Sequence, residues 1–496
     1  MIPTPSALFG PIFAAVQEHA LFADSKSFAD AIPLRPVKEI LADWAREAPA
    51  ESKAIGAFVD RNFTVPGDDH EGLSGNAPIS AHINALWPVL TRRQEHGAAG
   101  SSEIALPHPF VVPGGRFREL YYWDGYFTAL GLVRSGRHDL VEDMIANMGW
   151  LLEQFGRIPN GTRSYYLSRS HPPVFYLIAG LSQDQSEAAR RRRLEWMRIE
   201  HLFWMDGAQN LTPGQEWRRA VRLSDGALLN RYWDDQDGPR DESWREDVAL
   251  ARSVPGRPSN ELWRDIRAGA ESGWDFSSRW LEDGQTLATI RTTRLVPIDL
   301  NCLLYGLEQA IAQEARALGE DADQFVQIAE ARAAAIKAHL WNETGGFFAD
   351  YDLDRRAPSE QLTAATAFAL FAGLGDSGRT DRVAAAIERL LRPGGLLTTL
   401  RETGQQWDAP NGWAPLQWIA VAGLRRNGFN ELADQISNRW TALVDRHYRA
   451  AGVLLEKYDV QRCGAGAGGE YVTETGFGWT NGVTLELLAG AGGPAD

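Results

Sequence analysis

Three stretches of this chain follow one plan, and that plan limits the fold more than any other feature. Gly131-Leu-Val-Arg-Ser-Gly-Arg-His-Asp-Leu-Val141, Gly373-Leu-Gly-Asp-Ser-Gly-Arg-Thr-Asp-Arg-Val383 and Gly423-Leu-Arg-Arg-Asn-Gly-Phe-Asn-Glu-Leu-Ala433 each read as a short helix-helix turn followed by an amphipathic helix. Helical periodicity also runs through 138–155, 297–318, 321–341, 360–374, 380–391, 415–426 and 430–449. Asp321 and Asn430 stand where N-caps belong, and Gly156, Gly345, Gly394 and Gly452 follow apolar runs as stops do. No train of alternating strands promises a large sheet. Helix pairs recurring every several tens of residues predict a solenoid or a closed toroid of hairpins. Long, aromatic, irregular connections favour the toroid, with functional loops at one mouth. Ordinary capping glycines in an irregular helical protein remain the competing reading.

At three places a glycine opens a short, largely apolar stretch that ends in a polar residue: Gly156-Arg-Ile-Pro-Asn160, Gly346-Phe-Phe-Ala-Asp350 and Gly452-Val-Leu-Leu-Glu456. The alignment puts Asn160, Asp350 and Glu456 at equivalent positions.

With 496 residues, 44% of them hydrophobic, the chain can bury a large core. A formal net charge of -15 argues against nucleic acid and anionic membranes as partners, since both require clustered Lys and Arg. No apolar run approaches the roughly 18 residues of a spanning helix. The first basic residue is Lys26, so the start lacks the charged region of a secretory leader. The expectation is a cytoplasmic protein, with a periplasmic form, its leader removed, kept open. Cys302 and Cys463 are too few for a disulfide framework or a thiolate metal site. Trp233-Asp-Asp-Gln-Asp-Gly238 lacks calcium-loop spacing and no His pair sits at ligand spacing, so no metal is expected.

Two segments carry the chemistry: Pro113-Gly-Gly-Arg-Phe-Arg-Glu-Leu-Tyr-Tyr-Trp-Asp-Gly-Tyr126 and Gln406-Trp-Asp-Ala-Pro-Asn-Gly-Trp-Ala-Pro415. Gly and Pro break helices and strands, so these segments read as binding loops. Rings that stack on sugar faces, beside carboxylates and guanidinium groups that grip hydroxyls, suggest a carbohydrate site. Glycoside cleavage generally needs a carboxyl to protonate the leaving oxygen and a second on the other face of the sugar. Asp124, Asp275, Asp408, Glu456 and Glu470 all stand beside or near rings. Residue physics does not rank these five firmly, because Asp beside Trp also arises when Asp caps a helix and Trp fills the core. Asp275 gains from Trp274 and Phe276, which would desolvate it, and Glu456 from its place at the end of an apolar run.

Together the two segments resemble the paired signature motifs of the trehalase family of inverting glycoside hydrolases, and Gly476-Phe-Gly-Trp-Thr-Asn-Gly482 is similar to a third family segment. The likeness runs from about residue 34 to 488. It implies an all-α (α/α)6 toroid over 34–490, an N-terminal extension over 1–33, and a tail over 491–496. The implied activity is hydrolysis of α,α-trehalose to two glucose molecules by a monomer without cofactor. Position by position, the family's general acid falls on Asp275 and its general base on Glu456. Its sugar-gripping positions fall on Arg116, Phe117, Trp123, Asp124, Asn160, Arg169, Ser170, His171, Arg240, Glu242, Gly273 and Glu470.

His171 departs from the expected Gln, Glu474 from another Gln, and the glycine-rich loop Gly464-Ala-Gly-Ala-Gly-Gly469 carries two alanines. Alanine is tolerated mainly where φ is negative, so the loop is where the carry-over is weakest. Another helical-toroid α-glucosidase, of glucoamylase or processing type, would use the same physics. A non-catalytic trehalose-binding protein is the third reading, and the pair of carboxylates weighs against it.

Overall fold

The computed structural model describes residues 2–67, 75, 77–93, 97–469 and 473–491. Among them, twelve helices build the ring: α1 (Ile79–Leu90), α2 (Tyr122–Arg134), α3 (His138–Phe155), α4 (Phe175–Ala179), α5 (Glu187–Trp204), α6 (Ile298–Ala317), α7 (Asp323–His339), α8 (Ala367–Phe371), α9 (Ser377–Leu390), α10 (Ala414–Arg426), α11 (Asn430–Ala451) and α12 (Gly478–Ala491). Six form the inner wall. Contacts run in sequence from α2 to α4, α6, α8, α10 and α12, and α12 returns to α2. The remaining six helices pack outside, so the architecture is the expected (α/α)6 toroid.

Burial follows from this arrangement. Tyr122 to Leu132 of α2 are buried on every side, as an inner helix requires, whereas α11 buries Ala433, Ile436, Trp440, Leu443 and Val444 on one face. The seam between α2 and α12 is tight. A Cβ on Gly131 would lie 2.4 Å from the Gly482 Cα, and one on Gly482 would lie 2.0 Å from the Phe127 carbonyl oxygen, so both positions require glycine.

The repeat holds in two of its three copies. Gly136 (φ 67°) and Gly428 (φ 85°) occupy left-handed turns between α2 and α3 and between α10 and α11. In the third copy the left-handed residue is Gly373 (φ 75°), while Gly378 lies inside α9. Gly156 and Gly452 end α3 and α11 in the left-handed conformation. The expected caps are displaced by a residue: Ala322 and Phe429 hold the N-cap positions, although Asp321 still accepts the Asp323 N–H at 2.9 Å.

Among the described residues, strands are confined to sheets of two or three short members. One of them matters for the site: β1 (Asn411–Trp413), β2 (Lys457–Asp459) and β3 (Gly464–Ala465), antiparallel, with Trp413 opposite Lys457.

The segment expected as an N-terminal extension packs onto the ring. Phe9, Phe13 and Phe28 join Phe58 and Phe63 in an apolar cluster that also takes in Tyr121, Tyr165 and Tyr166. Ser6 donates to Asp241, Arg245 to the carbonyls of Phe22 and Ala23, and Ser25 to Glu246 at 2.7 Å.

Candidate active site

A pocket of about 880 Å³, open mouth included, collects residues from segments far apart in the chain, from Asp24 to Trp479. Arg116, Phe117, Trp123, Asp124, Asn160, Arg169, His171, Arg240, Glu242, Gly273, Asp275 and Glu456 all line it. Twelve of the fourteen expected site residues are therefore brought together. Ser170 is turned away: its hydroxyl donates to the Ile158 carbonyl at 2.6 Å and its N–H to Glu271 at 2.8 Å. Glu470 lies outside the described residues.

The first aromatic segment differs from its expected loop character. Tyr122, Trp123, Asp124 and Gly125 form the opening turn of α2, and Pro113, Gly114 and Gly115 lie in the approach to it. A carboxylate there faces the positive end of the helix. The second segment likewise runs straight into structure, as β1 and then α10.

Asp124 is buried, and burial, together with the negative charges of Glu456 and Asp275, pushes its carboxyl well above the usual range. The three carboxyls thus share one electrostatic site. Glu242 goes the other way. Burial would raise it, yet Arg169, Arg240 and Arg267 hold it below its ordinary value. Arg169 reaches Glu242 at 2.6 Å and Asp234 at 3.3 Å, and Arg240 is clamped by Asp247 at 2.7 Å. Glu242 Oε2 and Trp123 Nε1 are buried with no hydrogen-bond partner among the described residues, one an acceptor and the other a donor on the pocket wall.

His171 is buried, and burial followed by the charge of Arg169 pushes it well below its usual value, so it is neutral. The Trp123 N–H, an otherwise orphaned donor in the first turn of α2, donates to its Nδ1 at 3.3 Å. The imidazole Nε2 meets the Asn160 amide.

Three rings stack behind the carboxyls: Trp407 on Trp413 at 4.0 Å and Trp274 on Trp407 at 5.5 Å. Trp407 and Trp413 reach the pocket together with Phe477 and Trp479 of the third motif segment. Asp408 does not. It accepts from Ser277 Oγ, Ser278 N and Oγ, Thr399 Oγ1 and Thr403 Oγ1, and so anchors the turn that follows Asp275. Asp350 is similarly structural, paired with Arg279 at 2.7 Å, so of the three repeat-equivalent residues Asn160 and Glu456 reach the pocket.

The glycine-rich loop explains its own composition. Gly468 (φ 86°) and Gly469 (φ 94°) are left-handed, whereas Ala465 and Ala467 are not. Asn411 fastens the loop by donating to the Ala467 carbonyl at 2.6 Å.

Sequence reasoning missed Asp24, Ser25, Lys26, Tyr121, Tyr166, Ser243 and Glu246, which also line the pocket. No helix of the described residues is long and apolar enough to cross a membrane, and no group of three or more His, Cys, Asp or Glu among them is arranged to hold a metal ion.

A family model described as Trehalase matches residues 20–492. The chain is 51% identical over 490 residues to the periplasmic trehalase of Pseudomonas aeruginosa, covering 98% of this chain and 90% of that protein. It is 49% identical over 491 residues to the periplasmic trehalase of Citrobacter koseri, covering 98% and 86%. Among solved structures it resembles the neutral trehalase of Saccharomyces cerevisiae, with a TM-score of 0.64 and 25% identity over 84% of this chain and 80% of that one. A mannosylglycerate hydrolase from Thermus thermophilus shares the fold, with a TM-score of 0.55 and 18% identity over 82% and 99%. The names of the bacterial relatives correct the cytoplasmic expectation. The lack of Lys and Arg before Lys26 is too weak a signal to set against those names.

Proposed function

Because the chain belongs to the trehalase family, we propose that it hydrolyses α,α-trehalose to two glucose molecules with inversion at one anomeric carbon. Asp275 is the general acid and Glu456 the general base. The observation that carries this reading is the convergence of both carboxyls on one pocket whose walls supply rings and guanidinium groups.

Half-buried Asp275, mounted between Trp274 and Phe276, gives its proton to the oxygen bridging the two sugars as the bond to one anomeric carbon breaks. Glu456 takes a proton from the water that attacks that carbon from the opposite face. Inversion requires the two carboxyls to stand roughly 6.5–9.5 Å apart, with the water between. Each turnover then releases one β- and one α-glucose. Asp124, its carboxyl pushed up by burial, bonds a sugar hydroxyl, while Glu242 and the Trp123 indole take a hydroxyl each as acceptor and donor. Arg116, Arg169 and Arg240 hold the hydroxyl clusters with planar, permanently charged donors. The relatives' names support action in the periplasm, and the chain works as a monomer.

Proton NMR of fresh trehalose with the purified protein, following glucose anomers over the first minutes, tests the reading. Equal initial α- and β-glucose supports it. Two α-glucose molecules, or no glucose, would overturn it.

A further inference from the structure

We propose that Lys457 and Gln406 are positioning residues that set the general base against the general acid, a role that rests on the assignment of Glu456 and Asp275 above. The side chain of Lys457 is fully buried, which is unfavourable for an ammonium unless it is paired. Its Nζ donates to Gln406 Oε1 at 2.9 Å and to Glu456 Oε2 at 3.3 Å, and lies 5.2 Å from the centre of the Trp413 ring. At the other end, Gln406 Nε2 donates to the carbonyl oxygen of Asp275. A continuous path therefore runs from the Asp275 backbone through an amide and an ammonium to the Glu456 carboxylate. It joins three segments far apart in sequence.

The surroundings hold this path in place. The Gln406 carbonyl accepts from Asn411 at 3.0 Å and from the Trp413 indole at 3.0 Å. The glycine-rich loop lies directly on it: a Cβ on Gly466 would fall 2.7 Å from Lys457 Cγ, and one on Gly469 would fall 2.6 Å from Gln406 Oε1. Neither Lys457 nor Gln406 lines the pocket. Both act through other residues: Lys457 orients the carboxylate that receives the proton, and Gln406 fixes the backbone that carries the carboxyl which gives one. An acid and a base that must frame a single water leave little room for error, and misplacement by 1 Å costs on the order of 10²-fold in rate.

The test uses the full chain with trehalose as substrate and Lys457→Met, Lys457→Arg, Gln406→Glu and Gln406→Met, each checked by a melting curve. Gln406→Glu keeps an acceptor for Lys457 and removes the donor to Asp275. Lys457→Met and Gln406→Glu should each lower kcat about 10²-fold with KM within a few-fold of the parent, and Lys457→Arg should recover part of the loss. Because both changes break one path, the double variant Lys457→Met/Gln406→Met should be little worse than the worse single. Near-parental kcat in folded Lys457→Met or Gln406→Glu, or effects that multiply in full, would overturn the proposal. Should Lys457→Met fail to fold, Gln406→Glu and Gln406→Met decide it in the same way. Parent turnover together with inactive Asp275→Asn and Glu456→Gln separates a failed bridge from a failed acid–base assignment.

Discussion

The carboxylate of Asp24 stands 3.7 Å from the guanidinium of Arg116, across the pocket mouth. One partner comes from the N-terminal segment and the other from the first signature motif. Asp24 also accepts from the Ser27 N–H at 2.8 Å, so the backbone that presents it is fixed. Asp24→Ala should raise KM for trehalose several-fold with a smaller change in kcat, since it removes an acceptor and a partner of Arg116 at the rim. Steady-state kinetics beside an unchanged melting curve would check this. An unchanged KM would leave Asp24 as a turn residue only.

Asp275→Asn and Glu456→Gln should each lower kcat by at least about 10²–10⁴-fold, the usual contribution of a positioned acid or base. The anomer-resolved NMR assay reads both. Retention of more than a tenth of parental activity in either variant would remove that carboxyl from the proposed chemistry.

Asp408→Asn keeps shape but deprives several hydroxyl and amide donors of their charged acceptor. Hydrogen bonds to a charged group contribute about 1.5–3 kcal/mol each, so the variant should melt lower. Activity should fall with it, because the turn after Asp275 loses its anchor. A loss of activity without any change in melting would instead place Asp408 in the reaction.

Glu200 gives a signed pH dependence. It is buried, accepts from the Tyr122 hydroxyl, and burial pushes it up to about 8. An unfolded Glu titrates near ~4.3, so over the interval from there to about 8 the folded chain holds a proton that the unfolded chain has released. This contribution to stability is complete below ~4.3 and is lost as pH rises, by up to about 1.4 kcal/mol per pH unit. Glu200→Gln should flatten the fall of the melting temperature between pH 5 and 8. An unaltered slope would contradict the raised value.

Gly469→Ala places a side chain at φ 94° and against Gln406. The backbone term alone costs about 1–2 kcal/mol. The exchange should depress kcat through displacement of Gln406, whereas Ala467→Gly, at a residue outside the left-handed region, should leave kcat near the parent value. Parallel kinetics on the two variants would show the contrast.

The ring was legible because its evidence is local: a left-handed glycine after an apolar helix, as at Gly136 and Gly428, marks a hairpin turn wherever it occurs. Where two glycines compete, as at Gly373 and Gly378, only packing decides which one turns the chain. The pocket residues were legible through motif resemblance rather than physics. Asp408 sits beside a Trp as Asp124 and Asp275 do, yet serves as a bracket, and spacing along the chain carries no trace of that difference. The N-terminal wall was illegible for a related reason. Asp24-Ser-Lys26 has no aromatic neighbour closer than Phe22 and Phe28, and its place in the site depends on Ser25 finding Glu246 more than two hundred residues away.

The meeting of Gly131 with Gly482 has a bearing on how this protein comes into being. The two residues that close the seam are about 350 positions apart, and the last inner helix follows all the other hairpins of the ring in the chain. Long-range closure of this kind comes late and slowly in folding, because it depends on all the hairpins in between. Until it happens, the apolar faces of α2 and α10 that α12 covers stand open, and Trp479, which donates to the Glu456 carbonyl, is absent from its post. Activity should therefore appear in a single step with the C-terminal helix, and a nascent chain stalled before residue 478 should be inactive and prone to self-association.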